Sequence, residues 1–178
     1  MPYIPVEEHL PGITGLLEYR RDSAKPIRDL TQILMRGPST LTEGERELIA
    51  TVVSHNNECK FCTSAHAAVT DLLLGESNTA QCVKVDIETA PVSEKMKALL
   101  TIARMVQQSG KNVTDSAVAR AKKAGATDVE IHDTVLIAAT FSMFNRYVDG
   151  LASFTPTDPG IYEQMGKRMS TAGYVLPK

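Results

Sequence analysis

Apolar residues recur at three- and four-residue steps along most of the chain, the spacing that stacks side chains on one face of an α-helix. From Pro26 onward, Ile27, Leu30, Ile33 and Leu34 mark one such face, and Gly37-Pro38 stops it, as glycine at the position after a helix followed by proline should. Thr42 opens the next helix. Thr42-x-x-Glu45 is a capping box, in which hydroxyl and carboxylate each meet an orphan N–H. Leu48, Ile49, Val52 and Val53 give its buried stripe, and Glu47 lies beside that stripe at the boundary between core and solvent. Asn56-Asn57 bends the chain, and a further helix is expected from Glu58 to Leu74 with Gly75 as its end.

The same punctuation continues downstream. Ser93 caps a helix over 94–109 followed by Gly110, and Thr114 caps a short one over 115–124 closed by Gly125. A second capping box, Thr127-x-x-Glu130, opens a long helix with Ile131, Val135, Leu136, Ala139 and Met143 inward. Patterning is weaker in three places. Residues 1–24 mix prolines with apolar residues and read as an irregular arm with a short helix near Ile13–Tyr19. Residues 76–90 hold at most a short helix around Asn78–Val85, and Thr155–Pro159 is a linker before a last helix over 160–171 that ends at Gly173. No segment alternates with hairpin turns as strands do. The expectation is an all-α bundle in a single domain spanning 1–178, with an arm at 1–24, a core at about 25–150 and a C-terminal helix and tail at 151–178.

Composition narrows the function without naming it. A net charge of -2 gives no electrostatic footprint for nucleic acid or an anionic membrane. The first residues carry acids and prolines where a leader has a basic head and an apolar run, and no apolar stretch could span a bilayer. The expected location is therefore cytoplasmic, where thiols are kept reduced. Three cysteines make a poor disulfide framework there.

The chemistry concentrates between Glu47 and His66. Cys59 and Cys62 form a CxxC, His66 follows Cys62 by four, and Glu47 precedes Cys59 by twelve. On a helix, Cys59, Cys62, His66 and Val69 share a face. A thiol attacks only as thiolate. Two features favour that form: a helix start, with its orphan N–H groups and dipole, and an imidazole one turn on to take the proton. Glu47 can hold that imidazole in one tautomer if its helix packs alongside, the nucleophile, base and orienter arrangement of a triad. One cysteine can then reduce a substrate and the other resolve the product as a disulfide.

The run Glu47-x11-Cys59-x2-Cys62-x3-His66 resembles the core motif of the AhpD-like alkylhydroperoxidases, within the carboxymuconolactone decarboxylase superfamily, and the resemblance covers residues 25–150. The stretch FNRYVDGL, 144–151, is similar to the peroxidase-related branch of that family. The resemblance implies an all-α homo-oligomer, commonly a trimer or hexamer. It would reduce alkyl hydroperoxides through a Cys59–Cys62 disulfide, with Glu47 and His66 as a proton relay and no metal or flavin. The implied partners are a peroxide, a dithiol donor such as a lipoyl or thioredoxin-like protein, and a peroxiredoxin. One position departs from the pattern: a second relay histidine directly before the second cysteine is Phe61 here. His55, four residues before Cys59, is the candidate to replace it. Family usage and the proximity of His66 point to Cys62 as the attacking thiol and Cys59 as the resolving one, while the thioredoxin analogy points the other way.

Other readings compete. A structural disulfide closing so small a loop gains at most about 2 kcal/mol. A metal bound by Cys59, Cys62, His66 and Glu47 would need ligands from one helix face to surround a tetrahedral ion. A non-redox enzyme of the carboxymuconolactone decarboxylase type would not use the dithiol, and a redox-sensing or assembly module would use it without turnover. Cys82 has no partner pattern and reads as a small buried residue, and His132 reads as surface. Asn145 and Arg146 are candidates to line the cleft.

Overall fold

The computed structural model describes residues 1–75 and 78–175. Glu76 and Ser77, which open the stretch 76–90, lie outside the described residues. Within them the chain forms nine α-helices and no strand: α1 (Ile13–Tyr19), α2 (Arg21–Arg36), α3 (Glu43–Asn56), α4 (Lys60–Leu74), α5 (Thr79–Val85), α6 (Glu94–Gln108), α7 (Asp115–Lys123), α8 (Asp128–Gly150) and α9 (Pro159–Ala172). This is the all-α architecture that the patterning predicts. No helix among the described residues is long and apolar enough to cross a membrane.

The helix that organises the rest is α3. Its start is fixed as the capping box requires: Thr42 Oγ1 accepts from the Glu45 N–H at 3.2 Å, and Glu45 Oε2 accepts from the Thr42 N–H at 2.8 Å. It packs along its length against α4 and also meets α2, α5, α6 and α8. Consequently ten of its residues are buried, from Gly44 through Ser54. Glu47 is 0% exposed, which corrects its expected position at the core boundary. A single apolar stripe describes a helix with one wet face; α3 has neighbours on nearly every side, so its polar residues are buried too.

Two further expectations are corrected. The second helix begins at Arg21 and carries Pro26 inside it. A pairing of Arg20 with the Asp22 carboxylate at 2.8 Å and a Ser23 hydroxyl bond to the Arg20 carbonyl hold the turn ahead of the proline. On α8 the inward face is Thr134, Ile137, Ala138, Phe141, Phe144, Asn145 and Val148, while Ala139 and Met143 face solvent. The face is rotated because polar Thr134 and Asn145 are buried, and a hydrophobic pattern discounts both.

Apolar burial divides into a main core and a smaller cluster. The main core joins α2, α3, α6, α7 and α8 through residues such as Leu48, Leu99, Ile102, Ile137 and Phe141. The smaller cluster contains Leu16, Cys59, Phe61, Cys62, Ala65, Val148 and Tyr162, with Ile4 and Val6 of the arm packed against it. Both cysteines of the CxxC therefore sit in an apolar cluster closed by the N-terminal arm and α9. The arm is held by the loop after α8: the Tyr3 N–H donates to the Leu151 carbonyl at 3.0 Å and the Gly12 N–H to that of Phe154 at 2.8 Å. Gly12 has φ of 54°, and a Cβ there would lie 2.1 Å from the Phe61 ring. Only glycine combines that backbone with that contact. Replacing Gly12 with alanine should therefore lower stability by about 1–3 kcal/mol, read as a fall in the denaturant midpoint. An unchanged midpoint would mean that the arm does not seal the cluster.

Candidate active site

The site begins at the turn between α3 and α4. Glu58 adopts φ of 60°, and the Cys59 N–H donates back to the Ser54 carbonyl at 3.1 Å. A left-handed residue cannot continue a helix, so α4 starts at Lys60 and not at the expected Glu58. Buried Asn145 of α8 clamps this turn. Its Nδ2 donates to Ser54 Oγ at 3.0 Å, and its Oδ1 accepts from Asn57 Nδ2 at 2.8 Å. Gln107 of α6 adds a bond to Asn57 Oδ1 at 2.9 Å. The result sets Cys59 at the N-cap of α4 and Cys62 in its first turn.

Both cysteines are free thiols. Cys59 is wholly buried and hydrogen-bonded to Cys62; that bond, with burial, pushes the Cys59 thiol far above its ordinary range. Cys62 instead lines a cavity of about 70 Å³ together with His66, Phe61, Phe141, Met169 and Tyr174. Cys62 and His66, one helical turn apart, have Cβ atoms about 5–6 Å apart by helix geometry.

Glu47 anchors the far side of the imidazole. Its Oε2 lies 2.7 Å from His66 Nδ1, and its Oε1 accepts from Arg36 Nη2 at 2.6 Å and from the Tyr174 hydroxyl at 2.6 Å. With Nδ1 turned to a carboxylate, Nδ1 carries a proton and Nε2 is left for other work. Burial opposes the Glu47 charge, but the His66 hydrogen bond and charge and the Arg36 charge outweigh it, so the carboxyl stays below its usual range. Burial, and then the Glu47 charge, push the Tyr174 phenol well above its usual range, so it remains a donor. One turn on along each helix, the Thr51 and Thr70 hydroxyls meet at 3.2 Å and tie α3 to α4 beside the pair.

The structure therefore brings Glu47, His66, Cys62 and Cys59 together. His55 is not with them. It is exposed and lines a separate surface groove with Glu58, Lys60 and Thr63. It does not stand in for the histidine replaced by Phe61. The Phe61 ring is buried against Gly12 and lies 6.1 Å from Tyr162, so that position serves packing. Asn145 shapes the turn below the thiols and Arg146 is exposed, neither lining the thiol cavity. His132 is exposed beside Asp133 at 3.0 Å, and Cys82 is half-buried against the main core. Among the described residues no cluster of three or more His, Cys, Asp and Glu side chains is arranged to hold a metal.

The carboxymuconolactone decarboxylase family model matches residues 21–71, from α2 through most of α4 and across the whole site motif. The fold is similar to that of an uncharacterized peroxidase-related protein from Ralstonia eutropha JMP134 with an alkylhydroperoxidase AhpD core. That likeness has a TM-score of 0.79 at 25% identity and covers 88% of this chain and 81% of that one. The matched segment and the shared fold are similar to those of the AhpD-like carboxymuconolactone decarboxylase superfamily. A peroxidase-related protein from Silicibacter sp. TM1040 shares the fold at a TM-score of 0.77 and 24% identity, over 86% of this chain and 78% of that one. No curated protein matches the chain. The fold is thus one that this chain shares with peroxidase-related proteins.

Two site residues escape the sequence motif, Arg36 and Tyr174. Arg36 ends α2 and reads from sequence as a helix-terminal cation. Tyr174 follows Gly173 in the tail and carries no periodic signal. Because Glu47 is buried with Arg36, Glu47→Gln should destabilise the protein by about 3–5 kcal/mol at neutral pH by removing the buried partner of that cation, which keeps only the part-exposed Glu43 at 3.4 Å. A lowered folded-state carboxyl contributes stability that is present above about pH 4.3, the unfolded value, and is lost as pH falls through the folded one. Thermal melts from pH 7 downward should show that loss in the wild type and lack this component in the variant. Parallel pH curves would contradict the assignment.

Proposed function

We propose that the protein is a thiol peroxidase that reduces organic hydroperoxides through the Cys59–Cys62 dithiol, with His66 and Glu47 moving the protons. The observation that carries this reading is the split between the two thiols. Cys62 faces a cavity shared with a carboxylate-held imidazole, while Cys59 is sealed behind it in hydrogen-bond contact. That supports Cys62 as the attacking sulfur and Cys59 as the resolving one.

His66 takes the Cys62 proton, and the thiolate attacks a peroxide oxygen. An S–O bond forms, the O–O bond breaks, and the departing alkoxide takes a proton and leaves as the alcohol. Cys62 is now a sulfenic acid. Cys59 attacks its sulfur, the S–S bond forms, and hydroxide leaves as water with the proton that Cys59 gives up. An external dithiol then reduces the disulfide by exchange. The sum is hydroperoxide plus dithiol giving alcohol, water and the donor's disulfide. No metal or bound organic cofactor enters these steps. A lipoyl or thioredoxin-like protein fits the donor's chemistry, and a peroxiredoxin disulfide is a second acceptor of the same electrons. A homo-oligomer, as the resemblance implies, is part of the same proposal.

The apolar lining of the cavity supports an organic peroxide in preference to hydrogen peroxide alone. Turnover of cumene hydroperoxide with a dithiol donor tests the reading. Cys62→Ser should abolish it, and Cys59→Ser should stop after one event, with a sulfenic acid at Cys62 that dimedone traps. Turnover at the wild-type rate in both variants would end the proposal. Slow, strictly stoichiometric oxidation of the wild type would favour a redox sensor.

A further inference from the structure

We propose that Tyr174, delivered by the chain after α9, is a positioning residue for His66: its ring fixes the imidazole plane and its hydroxyl draws on the charge of Glu47. The inference rests on the dithiol reading only for its kinetic arm.

The tail reaches the site by a defined route. Gly173 turns the chain with φ of 66°, and the Tyr174 N–H then donates to Gln32 Oε1 of α2 at 2.8 Å. A Cβ on Gly173 would lie 2.5 Å from that same oxygen. So anchored, the Tyr174 ring stacks beside His66 with centroids 6.3 Å apart and planes 14° from parallel. Phe141 meets the imidazole edge-on, with ring centroids 4.6 Å apart. Arg36 lies against the Tyr174 ring, 5.1 Å from its centroid, as a cation–π contact. The imidazole therefore packs against two aromatic rings, one of which belongs to the tail.

The hydroxyl has a separate effect. It donates to Glu47 Oε1, the oxygen that Arg36 also holds, and comes within 3.4 Å of His66 Nδ1. Each donor on Oε1 draws carboxylate charge away from Oε2, the oxygen facing His66. The groups around the imidazole are Cys62 on its own helix, Glu47 on α3, Arg36 and Arg28 on α2, Arg168 on α9 and Tyr174. Removing the hydroxyl leaves the Arg36 contact in place and returns charge to Oε2. His66 then holds its second proton more tightly, and the neutral base forms only at higher pH.

The test follows the histidine ring protons of the reduced protein by NMR across pH, in wild type and Tyr174→Phe, a change that keeps the ring. His9, His55 and His132 are exposed and serve as internal references. The His66 midpoint should rise by about 0.5–1 pH unit while the three references stay put. In cumene hydroperoxide turnover the acid limb of kcat/KM should move by the same amount. Gln32→Ala, which frees the tail without touching the ring, should move the midpoint in the same direction and serves if Tyr174→Phe does not fold. A midpoint unmoved in a folded variant overturns the proposal and makes Tyr174 a packing residue. Absence of turnover in the wild type would sink the peroxidase reading alone, because the NMR midpoint is read without peroxide.

Discussion

A buried carboxylate that must be neutralised organises this molecule. Glu47 has no contact with water, and an isolated carboxylate in such a place would be driven to its neutral form. It stays ionised because three elements outside its own helix converge on it: Arg36 from the end of α2, His66 from α4 and Tyr174 from the tail. Each partner fixes a piece of the fold. The Arg36 guanidinium also donates to the Met169 carbonyl at 3.1 Å, so the same cation ties α9 to the pair. Breaking one contact therefore leaves the others facing a less balanced buried charge.

The thiols live under a different constraint. They belong to the smaller apolar cluster, beneath the N-terminal arm and α9. Apolar surroundings hold a thiol protonated, and Cys59 shows that effect. A reactive sulfur in such a place needs a base within reach. In the proposed reaction the imidazole on the next turn of α4 supplies it, oriented by the buried carboxylate. The two clusters meet at this point: Phe141 of the main core packs on the imidazole of His66.

Much of this was legible in the sequence. The capping boxes at Thr42 and Thr127 located two helix starts, because cap chemistry is local and depends on a few side chains. The CxxC, His66 and Glu47 declared themselves by spacing, since helix geometry turns sequence steps into neighbours. What could not be read has a common cause. The depth of Glu47 depends on how many helices surround α3, and the rotated face of α8 depends on buried threonine and asparagine, neither of which periodicity measures. His55 sat at a suggestive step from Cys59, yet the left-handed Glu58 breaks the helix between them and sends it to the surface. Arg36 and Tyr174 come from positions 11 before and 127 after Glu47, and no local pattern joins such separations.

The proposed chemistry requires that the carboxylate-held imidazole make the vicinal thiols react as a pair. Counting free thiols in the unfolded protein before and after one equivalent of cumene hydroperoxide tests it most directly. The chain has three cysteines; the count should fall to one, with peptide mapping recovering a Cys59–Cys62 disulfide and Cys82 unmodified. A count that does not fall, or a loss that falls on Cys82, would contradict the account.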